Sequence, residues 1–292
     1  MDTSELDDLW DYSDPAASEA RFRQRLSELS TAADLAQLAE TQTQLARSLG
    51  LQRHFDEAHA TLDQVETRLT DMPARVQIRY ALERGRVFNS SGQPGRSVPL
   101  FASAWEQARA VGEDGLAVDA AHMLGIAEPG EQGMAWNLKA LELARASEQP
   151  AAIRWQGSLY NNIGWSYFDA GRHDDALGMF EQALAWQQAN GPAKEIRIAR
   201  WCIARDVRAL GRIEEALAMQ QALFAAHQQS LDEDGYVSEE LGECLLALGR
   251  PAEARPHFQR AYALLSQDLW LPEREPDRLA RLWRLSSEGE AS

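Results

Sequence analysis

Cysteine is scarce in this sequence, which has only Cys202 and Cys244 among its 292 residues. Neither cysteine lies in a C-x-x-C or Cys/His pattern, and the six histidines are scattered without an i, i+4 pair. This scarcity excludes a disulfide framework and gives no support to a metal site. Since both cysteines fall within apolar helical patterns, we predict buried free thiols and expect no metal or cofactor.

Long apolar runs are absent as well. No stretch of about 18 uncharged apolar residues occurs, which is the length that a membrane-spanning helix needs. The acidic start MDTSELDDLW has neither the basic stretch nor the apolar core of a secretory signal. We therefore expect a cytoplasmic protein with no membrane partner.

Basic residues are outnumbered by acidic ones. The chain has 29 Lys and Arg residues against 45 Asp and Glu residues, so its formal net charge is −16 at pH 7. Nucleic-acid phosphates require a basic surface, and we therefore expect no nucleic-acid partner. Net charge does not locate the arginines, however, so a locally basic groove stays open.

Common catalytic and ligand-binding motifs are missing too, since the sequence has no P-loop, Rossmann fingerprint, H-E-x-x-H or EF-hand loop. One stretch, NNIGWSYFDAGRHDDALGMFEQALAW at residues 161–186, nevertheless holds a serine, a histidine and two adjacent aspartates. Ser166, His173 and Asp174 could form a hydrolase triad, and the HDD run could contribute to a metal site. The alternative is that these side chains have structural roles only.

Internal repetition decides between these interpretations. A helix, a Gly-Arg turn and a second helix recur around Gly171, Gly211 and Gly249, which are 40 and 38 residues apart. Weaker copies precede them, so we predict six repeats at a spacing near 39 residues between about residues 35 and 265. Each pair of helices alone cannot bury its apolar face, whereas a stack of pairs can.

The arrangement of small and large residues in these copies resembles the tetratricopeptide repeat. In the copy that begins near residue 157, small residues fill three columns and large residues fill four, namely Gly164, Ala176 and Ala183, and Tyr160, Ile163, Tyr167 and Phe180. The resemblance implies an all-α fold, a right-handed α-solenoid of about six helix–turn–helix repeats with N- and C-terminal capping helices. It also implies a concave surface formed largely by the first helix of each repeat.

The repeats supply an internal control for the HDD run. The same columns read IEE, FDE and PAE in other copies, so acid recurs there and histidine does not. Carboxylates in the first turn of a helix favour its positive end. No G-x-S-x-G elbow accompanies Ser166. We therefore predict structural roles for this run, no catalytic residue, and a protein that is not an enzyme.

The solenoid divides the chain into three parts. We assign residues 1–34 to an acidic N-terminal segment and a capping helix, 35–267 to the repeats, and 268–292 to a C-terminal capping helix and a disordered tail. The first residues leave two alternatives. They form a flexible acidic segment, or Trp10 with Tyr12 anchors them in a groove of a solenoid, the chain's own included.

Helical geometry also predicts which side chains line the concave groove. The inner columns of the first helices hold arginines, aromatic residues and a few other polar residues, namely Arg47, Arg79, Arg86, Asn89, His122, Asn161, Trp165, Phe168, Trp201, Arg205, Arg208, Tyr236 and Glu239. Such a lining favours an extended peptide with an acidic group or a free C-terminal carboxylate. The alternative is that arginine and glutamate three or four residues apart pair with each other on a solvated face.

The sequence thus predicts a non-enzymatic scaffold or adaptor that binds a protein or peptide, with Arg86, Trp165, Trp201, Arg205 and Arg208 as main contacts. Tetratricopeptide proteins that clamp chaperone tails use Lys and Asn in these columns. Here Asn161 fits but the lysines are missing, so a chaperone cofactor is not implied. The alternative function is a regulatory sensor that binds a small anionic peptide or ligand and signals to a separate output partner. A homodimer is compatible with both.

Overall fold

The computed structural model of the protein describes residues 4–29, 35–128, 130–230, 233–268 and 270–287. In these ranges the secondary structure is helical and contains no strand, which confirms the predicted all-α class. The contacts divide the chain into two compact units, Met1–Leu159 and Tyr160–Ser292. We call them unit 1 and unit 2.

Unit 1 contains nine complete helices within its described residues: α1 (Ser4–Asp7), α2 (Pro15–Glu28), α3 (Leu35–Leu51), α4 (Phe55–Glu66), α5 (Ala74–Ser90), α6 (Pro94–Val111), α7 (Asp114–Ala127), α8 (Gly130–Ala146) and α9 (Pro150–Ile153). A 3-10 turn at Leu69–Asp71 separates α4 from α5. Helix α10 (Gln156–Asp169) contains the boundary between the units.

Unit 2 continues with α11 (His173–Asn190), α12 (Ala193–Ala209), α13 (Ile213–Ser230), α14 (Gly235–Ala247), α15 (Pro251–Leu265), α16 (Leu271–Arg274) and α17 (Pro276–Ser287). In the described part of the chain, six consecutive helix pairs correspond to the six predicted repeats. The disordered tail predicted for SSEGEAS, residues 286–292, overlaps α17 at Ser286 and Ser287, where Ser286 is buried and its hydroxyl donates to the Trp283 carbonyl. The rest of that tail lies outside the described residues.

Small residues set the approach of the two helices in a repeat. An added Cβ on Gly85 would lie 2.5 Å from the Phe101 ring, and one on Gly164 would lie 2.5 Å from the Phe180 ring. Both rings are fully buried. The small and large columns therefore pack directly against each other, as the repeat pattern predicts.

The Gly-Arg turn follows from backbone geometry. Gly171 and Gly211 have φ angles of 71° and 80°, in the left-handed region where residues with a Cβ are strained. The amide of Arg172 donates to the Tyr167 carbonyl at 2.9 Å, which closes the end of α10 in the manner of a Schellman motif. A glycine at this point lets the chain reverse after four turns of helix and start the next one.

The two ends of the chain form helices that cover apolar residues. Asp14 caps α2 by accepting from the Ala17 amide, Pro15 occupies its first turn, and Phe22 is fully buried. In α17, Leu279 and Leu282 are buried in the core of unit 2. Both predicted capping helices are therefore present. No helix in the described residues is long and apolar enough to span a membrane.

Candidate functional site

A groove of about 1160 Å³ lies within unit 1. Its walls come from the N-terminal segment, from α3 and α5, from the start of α7 and from the region of α9 and α10, with Trp10, Tyr12, Gln44, Arg47, Arg75, Arg79, Glu113, Asp119, Arg154 and Trp155 among the lining side chains. Small residues such as Gly112, Gly115 and Ala151 line it as well. Two of the predicted site residues, Arg47 and Arg79, lie in this lining.

Carboxylates from neighbouring repeats hold the arginines of the groove in place. One oxygen of Glu40 in α3 accepts from the Arg75 Nε at 3.0 Å and from the Arg79 Nε at 2.8 Å, both in α5. Arg75 also donates to Glu113, just before α7, at 2.8 Å. These bonds connect three successive repeats and fix the directions in which the guanidinium groups point.

Arg86 lies deeper than its predicted role as a main contact would require. It pairs with Asp119 of α7 and donates to Glu83 at 2.7 Å, and only 12% of its side chain is exposed. Burial by itself lowers the pKa of Arg86, but the charges of Asp119 and Glu83 outweigh it and raise that pKa above its ordinary value. Arg86 therefore orients Asp119, which does line the groove.

His122 is half-buried and is not in the groove lining, and its ring lies 4.9 Å from that of Trp155. Burial lowers the pKa of His122 to about 4, so the imidazole is neutral at pH 7. A neutral imidazole packs against an aromatic ring without the desolvation cost of a charge. Asn89, near the end of α5, is half-buried and is not in the groove lining.

The N-terminal segment, residues 4–13, forms part of this groove. The Trp10 indole N–H donates to the Gln44 side-chain oxygen at 3.0 Å. Trp10 and Tyr12 stack with ring centroids 4.7 Å apart. The Arg47 guanidinium carbon lies 5.5 Å from the Trp10 ring and 5.4 Å from the Tyr12 ring, which is within cation–π distance.

Two further contacts hold the same segment. Leu6 is only 3% exposed and packs in a hydrophobic core of unit 1. Asp7 forms an ion pair with Arg154 at 2.9 Å, although 147 residues separate them in the sequence. Of the two arrangements predicted for this segment, the structure has the anchored one.

The inner surface of unit 2 carries a row of aromatic rings. Trp201 lies 5.8 Å from Trp165 and 5.8 Å from Tyr236, centroid to centroid, and Phe168 lies 5.1 Å from Trp165. The Arg205 guanidinium carbon is 5.4 to 5.7 Å from the Trp165, Phe168 and Trp201 rings. The predicted residues of this unit are therefore brought together, with Arg205 among the rings.

Glu240 of α14 binds both predicted arginines of α12. Its carboxylate accepts two bonds from Arg208 at 2.7 and 2.9 Å and one from Arg205 at 3.2 Å. The Glu240 side chain is 1% exposed, whereas each arginine is a quarter exposed. Charge-assisted bonds thus satisfy a buried carboxylate that would otherwise be costly.

The last helix repeats this arrangement. Arg278 of α17 donates to both oxygens of Glu239, at distances between 2.5 and 3.1 Å, and Arg281 donates to Glu243 at 2.9 Å. Ion pairing of the groove arginines is therefore extensive, as the alternative interpretation proposed. Many of the partners, however, come from a neighbouring repeat and not from three or four residues away on the same helix.

Asn161 accepts from the Cys202 thiol at 3.2 Å. Both Cys202 and Cys244 are buried free thiols, which confirms the prediction, and burial raises the pKa of each to about 12. The Trp201 indole nitrogen is buried and finds no hydrogen-bond partner in the described part of the chain.

The serine, histidine and aspartates of the HDD stretch have separate partners. The Ser166 hydroxyl donates to the Asn162 carbonyl at 3.0 Å, while His173 Nδ1 lies 2.8 Å from an Asp206 oxygen. Asp175, in the first turn of α11, pairs with Arg172. Within the described residues no group of three His, Cys, Asp or Glu side chains could hold a metal ion.

Sequence reasoning missed the carboxylates that organise both inner surfaces, among them Glu40, Glu83, Asp119 and Glu240. It also missed Arg75 and Arg154. A usable signal exists, because several of the pairs join residues 32 to 39 positions apart, close to one repeat length. An arginine in one copy matched by an acid in the corresponding part of the next copy would have located them.

Comparison with known proteins bears on this architecture. Two family models described as tetratricopeptide repeat match residues 157–192 and 195–267. No curated protein matches the sequence.

Several solved structures have a similar fold. The apo form of the quorum sensor NprR from B. thuringiensis has 17% identity and a TM-score of 0.68, over 99% of this chain and 82% of that one. NprR in complex with its cognate peptide NprX has 18% identity and a TM-score of 0.62, over 99% and 85%. A tetratricopeptide repeat protein from Parabacteroides merdae has 12% identity and a TM-score of 0.58, over 97% and 96%. Residues 157–192 and 195–267 are therefore similar in sequence to tetratricopeptide repeats, and the chain shares the α-solenoid fold of these structures.

Proposed function

We propose that the chain is a non-enzymatic peptide-binding protein that holds an extended segment in the groove of unit 1. The groove itself carries this proposal. Outside the N-terminal segment, four arginines line it, Arg47, Arg75, Arg79 and Arg154, against two carboxylates, Glu113 and Asp119. In a chain of net charge −16, this is a local excess of positive charge.

The size and chemistry of the groove suit a peptide. Small-molecule pockets enclose roughly 300–1,000 Å³, and this groove is larger, at about 1160 Å³. Guanidinium groups bind carboxylates through two parallel bonds, so they suit an acidic side chain or a free C-terminus. We accordingly propose an acidic peptide or protein segment as the partner.

The groove lining supports a binding role over catalysis. It contains no histidine, lysine or cysteine among the described residues. The pKa of Asp119 is lowered below its ordinary value, because the charges of Arg86 and Arg47 outweigh the burial that raises it. A carboxylate held in this way is a weak general base at neutral pH. The predicted cytoplasmic location remains part of this proposal, and a homodimer remains compatible with it.

The predicted site residues of unit 2 have contacts that suit a structural role. Arg205 and Arg208 share the carboxylate of Glu240, and the rings of Trp165, Trp201 and Tyr236 cover the surface around them. We therefore propose that these side chains mainly join repeats and that the peptide contacts Arg47 and Arg79 first. The prediction that unit 2 contributes contacts can be tested in the same experiment.

A sensor is the alternative function. The specific observation that favours it is the fold shared with NprR, a quorum sensor whose structure is known with its cognate peptide. A sensor has to change shape on binding, whereas an adaptor does not. Small-angle scattering with and without a bound peptide would distinguish them, since a changed radius of gyration supports the sensor and an unchanged one supports the adaptor.

The test of the proposed function is fluorescence anisotropy with labelled peptides that end in a free carboxylate, each compared with its amidated form. Arg79→Gln should weaken binding at least about tenfold, because a hydrogen bond between charged groups contributes about 1.5–3 kcal/mol. The fold should tolerate this change, since Glu40 keeps its bond to Arg75.

Two control variants locate the site. Arg212→Gln removes an exposed arginine that pairs with Glu215 in unit 2, and it should leave binding unchanged. Arg205→Gln tests the aromatic surface of unit 2. If Arg205→Gln abolishes binding while Arg79→Gln does not, the site lies in unit 2. If no carboxylate peptide binds the native protein, the proposed function is wrong.

A further inference from the structure

Three residues of the N-terminal segment, Asp7, Trp10 and Tyr12, line the groove that the proposed function assigns to a peptide. Resting on that function, we infer that this segment is an intramolecular occupant of the peptide site. We infer further that the partner is a peptide of the same chemistry, an aromatic residue flanked by carboxylates, which displaces it. The inference names both the class of ligand and the regulation of the site.

Charge complementarity is the first argument. The sequence SELDDLWDYS contains four acidic residues, two aromatic residues and no basic residue. It faces a groove in which, apart from the segment itself, four arginines and two carboxylates line the walls. An external peptide of opposite composition would face like charges there, so the groove selects acidic sequences.

The contacts of the aromatic residues are the second argument. Arg47 lies over both stacked rings, and the Trp10 indole donates to Gln44. The groove can therefore bind a tryptophan through two contacts. Arg47 lies over the face of the ring, and Gln44 accepts a hydrogen bond from the indole N–H group. A tryptophan or tyrosine of a partner could make these contacts once Trp10 and Tyr12 have left.

The attachment of the segment is limited, which is the third argument. The Asp7–Arg154 pair is solvent-exposed, with 36% and 59% of the two side chains accessible, and exposed ion pairs contribute little. Tyr12 is 60% exposed. Leu6 is buried in a hydrophobic core of unit 1, and Leu9 and Trp10 pack partly buried against the same core. Its attachment therefore depends mainly on Leu6, Leu9 and Trp10, while the exposed contacts of Asp7 and Tyr12 contribute little.

Tethering gives the segment an advantage over a free peptide. A covalently attached ligand acts at an effective concentration in the millimolar range for short linkers. An external peptide with the same contacts must compete with that concentration, so its apparent affinity for the native chain is reduced. Removing the internal contacts should reveal the intrinsic affinity.

The experiment measures binding of a fluorescein-labelled peptide SELDDLWDYS by anisotropy. It compares the native full-length chain with the full-length variant Trp10→Ala, Tyr12→Ala. We expect the peptide to bind this variant at least about tenfold more tightly than the native chain. Adding Arg47→Gln to the variant should remove that gain, because the cation that contacts both rings is lost.

The control is Trp283→Ala, which removes an exposed tryptophan that packs on Tyr262 in unit 2. It should bind the peptide as weakly as the native chain does. If Trp10→Ala, Tyr12→Ala lowers the helicity, the double variant Asp7→Asn, Tyr12→Ala is used in its place. It changes two solvent-exposed side chains and should also bind the peptide more tightly than the native chain does.

The outcomes separate this inference from the proposed function. Equal binding to the native chain and the folded variant would show that the segment does not occupy the site. Absence of binding to the folded variant would show that the groove does not recognise this chemistry. In either case, the proposed function would still hold if other carboxylate peptides bind and depend on Arg79 for binding. If no carboxylate peptide binds in this way, both the proposed function and the inference are wrong.

Discussion

Unit 1 and unit 2 join their repeats by the same device but present different inner surfaces. In each, a carboxylate binds arginines of a neighbouring repeat, Glu40 with Arg79 of the following repeat in unit 1 and Glu240 with Arg208 of the preceding repeat in unit 2. Unit 1 nevertheless has an open groove beside its arginines, whereas in unit 2 a row of aromatic rings, Trp165, Trp201 and Tyr236, lies beside the arginines. A shared ion-pair framework therefore does not by itself determine whether a binding groove exists.

Side-chain volume explains the difference. The unit 1 groove has Gly112, Gly115 and Ala151 in its lining, so space remains between the arginines. The inner surface of unit 2 has Trp165 and Trp201, whose rings lie 5.8 Å apart and next to the Arg205 guanidinium group. Large aromatic residues fill the space that small residues leave open.

The largest predicted effect tests whether the two units have separate cores. Phe101→Ala in unit 1 and Phe180→Ala in unit 2 each delete a fully buried ring that packs on a glycine. We expect each to lower the free energy of unfolding by about 3–5 kcal/mol, since both leave a cavity. Hydrogen exchange should accelerate mainly in the unit that carries the change. Equal acceleration in both units would contradict the separation.

The second prediction compares the buried carboxylates. Glu240→Ala leaves Arg205 and Arg208 without their shared partner and should cost about 2–3 kcal/mol in urea unfolding, because a buried ion pair is broken on one side. Glu83→Ala should cost less, about 1–2 kcal/mol, since Arg86 retains Asp119. If Glu83→Ala lowers the free energy of unfolding as much as Glu240→Ala does, then Asp119 does not compensate Arg86 for the loss of Glu83.

The smallest effect concerns pH. Because the pKa of His122 falls to about 4 in the folded chain, the unfolded chain, with an ordinary pKa near 6.5, takes up a proton that the folded chain does not. Stability from this group is fully present above about pH 6.5 and is lost as pH falls towards 4. At pH 5 the loss is at most about 2 kcal/mol.

His122→Gln should therefore make the fall in Tm between pH 7 and pH 5 shallower. The matched variant in unit 2 is His257→Gln. In the native chain, burial and the nearby Arg260 also lower the pKa of His257. We expect a smaller change there, because no large shift is seen for His257. Identical pH slopes for native protein and His122→Gln would contradict a neutral, buried His122.

The repeat pattern was sufficient to predict the helix pairs and their packing. Gly164 and Phe180 occupy small and large columns in the sequence, and they contact each other in the structure. Arg47 and Arg79, which the columns predict on the inner surface, lie in the lining of the unit 1 groove. Such predictions succeed because they depend on contacts between adjacent helices, which a period of one repeat encodes.

Other features could not be read from the columns. Arg86 has the same repeat position as Arg47, yet it is buried between Glu83 and Asp119, because α7 supplies a carboxylate at that point. Arg154 lies after the degenerate third repeat and gains its role only through Asp7, 147 residues away. Contacts of this kind depend on where distant segments meet.

By itself, the sequence determined the all-α repeat architecture, the helix-reversing glycines, the capping helices and the buried thiols. These follow from local propensity and from apolar periodicity, which act over one or two helices. The tertiary structure decided that Arg75 and Arg154 join Arg47 and Arg79 in the groove lining, which carboxylates hold these arginines, and that Asp7, Trp10 and Tyr12 line the same groove. The physical reason is that a charged side chain takes its role from the groups around it, and those groups come from other repeats.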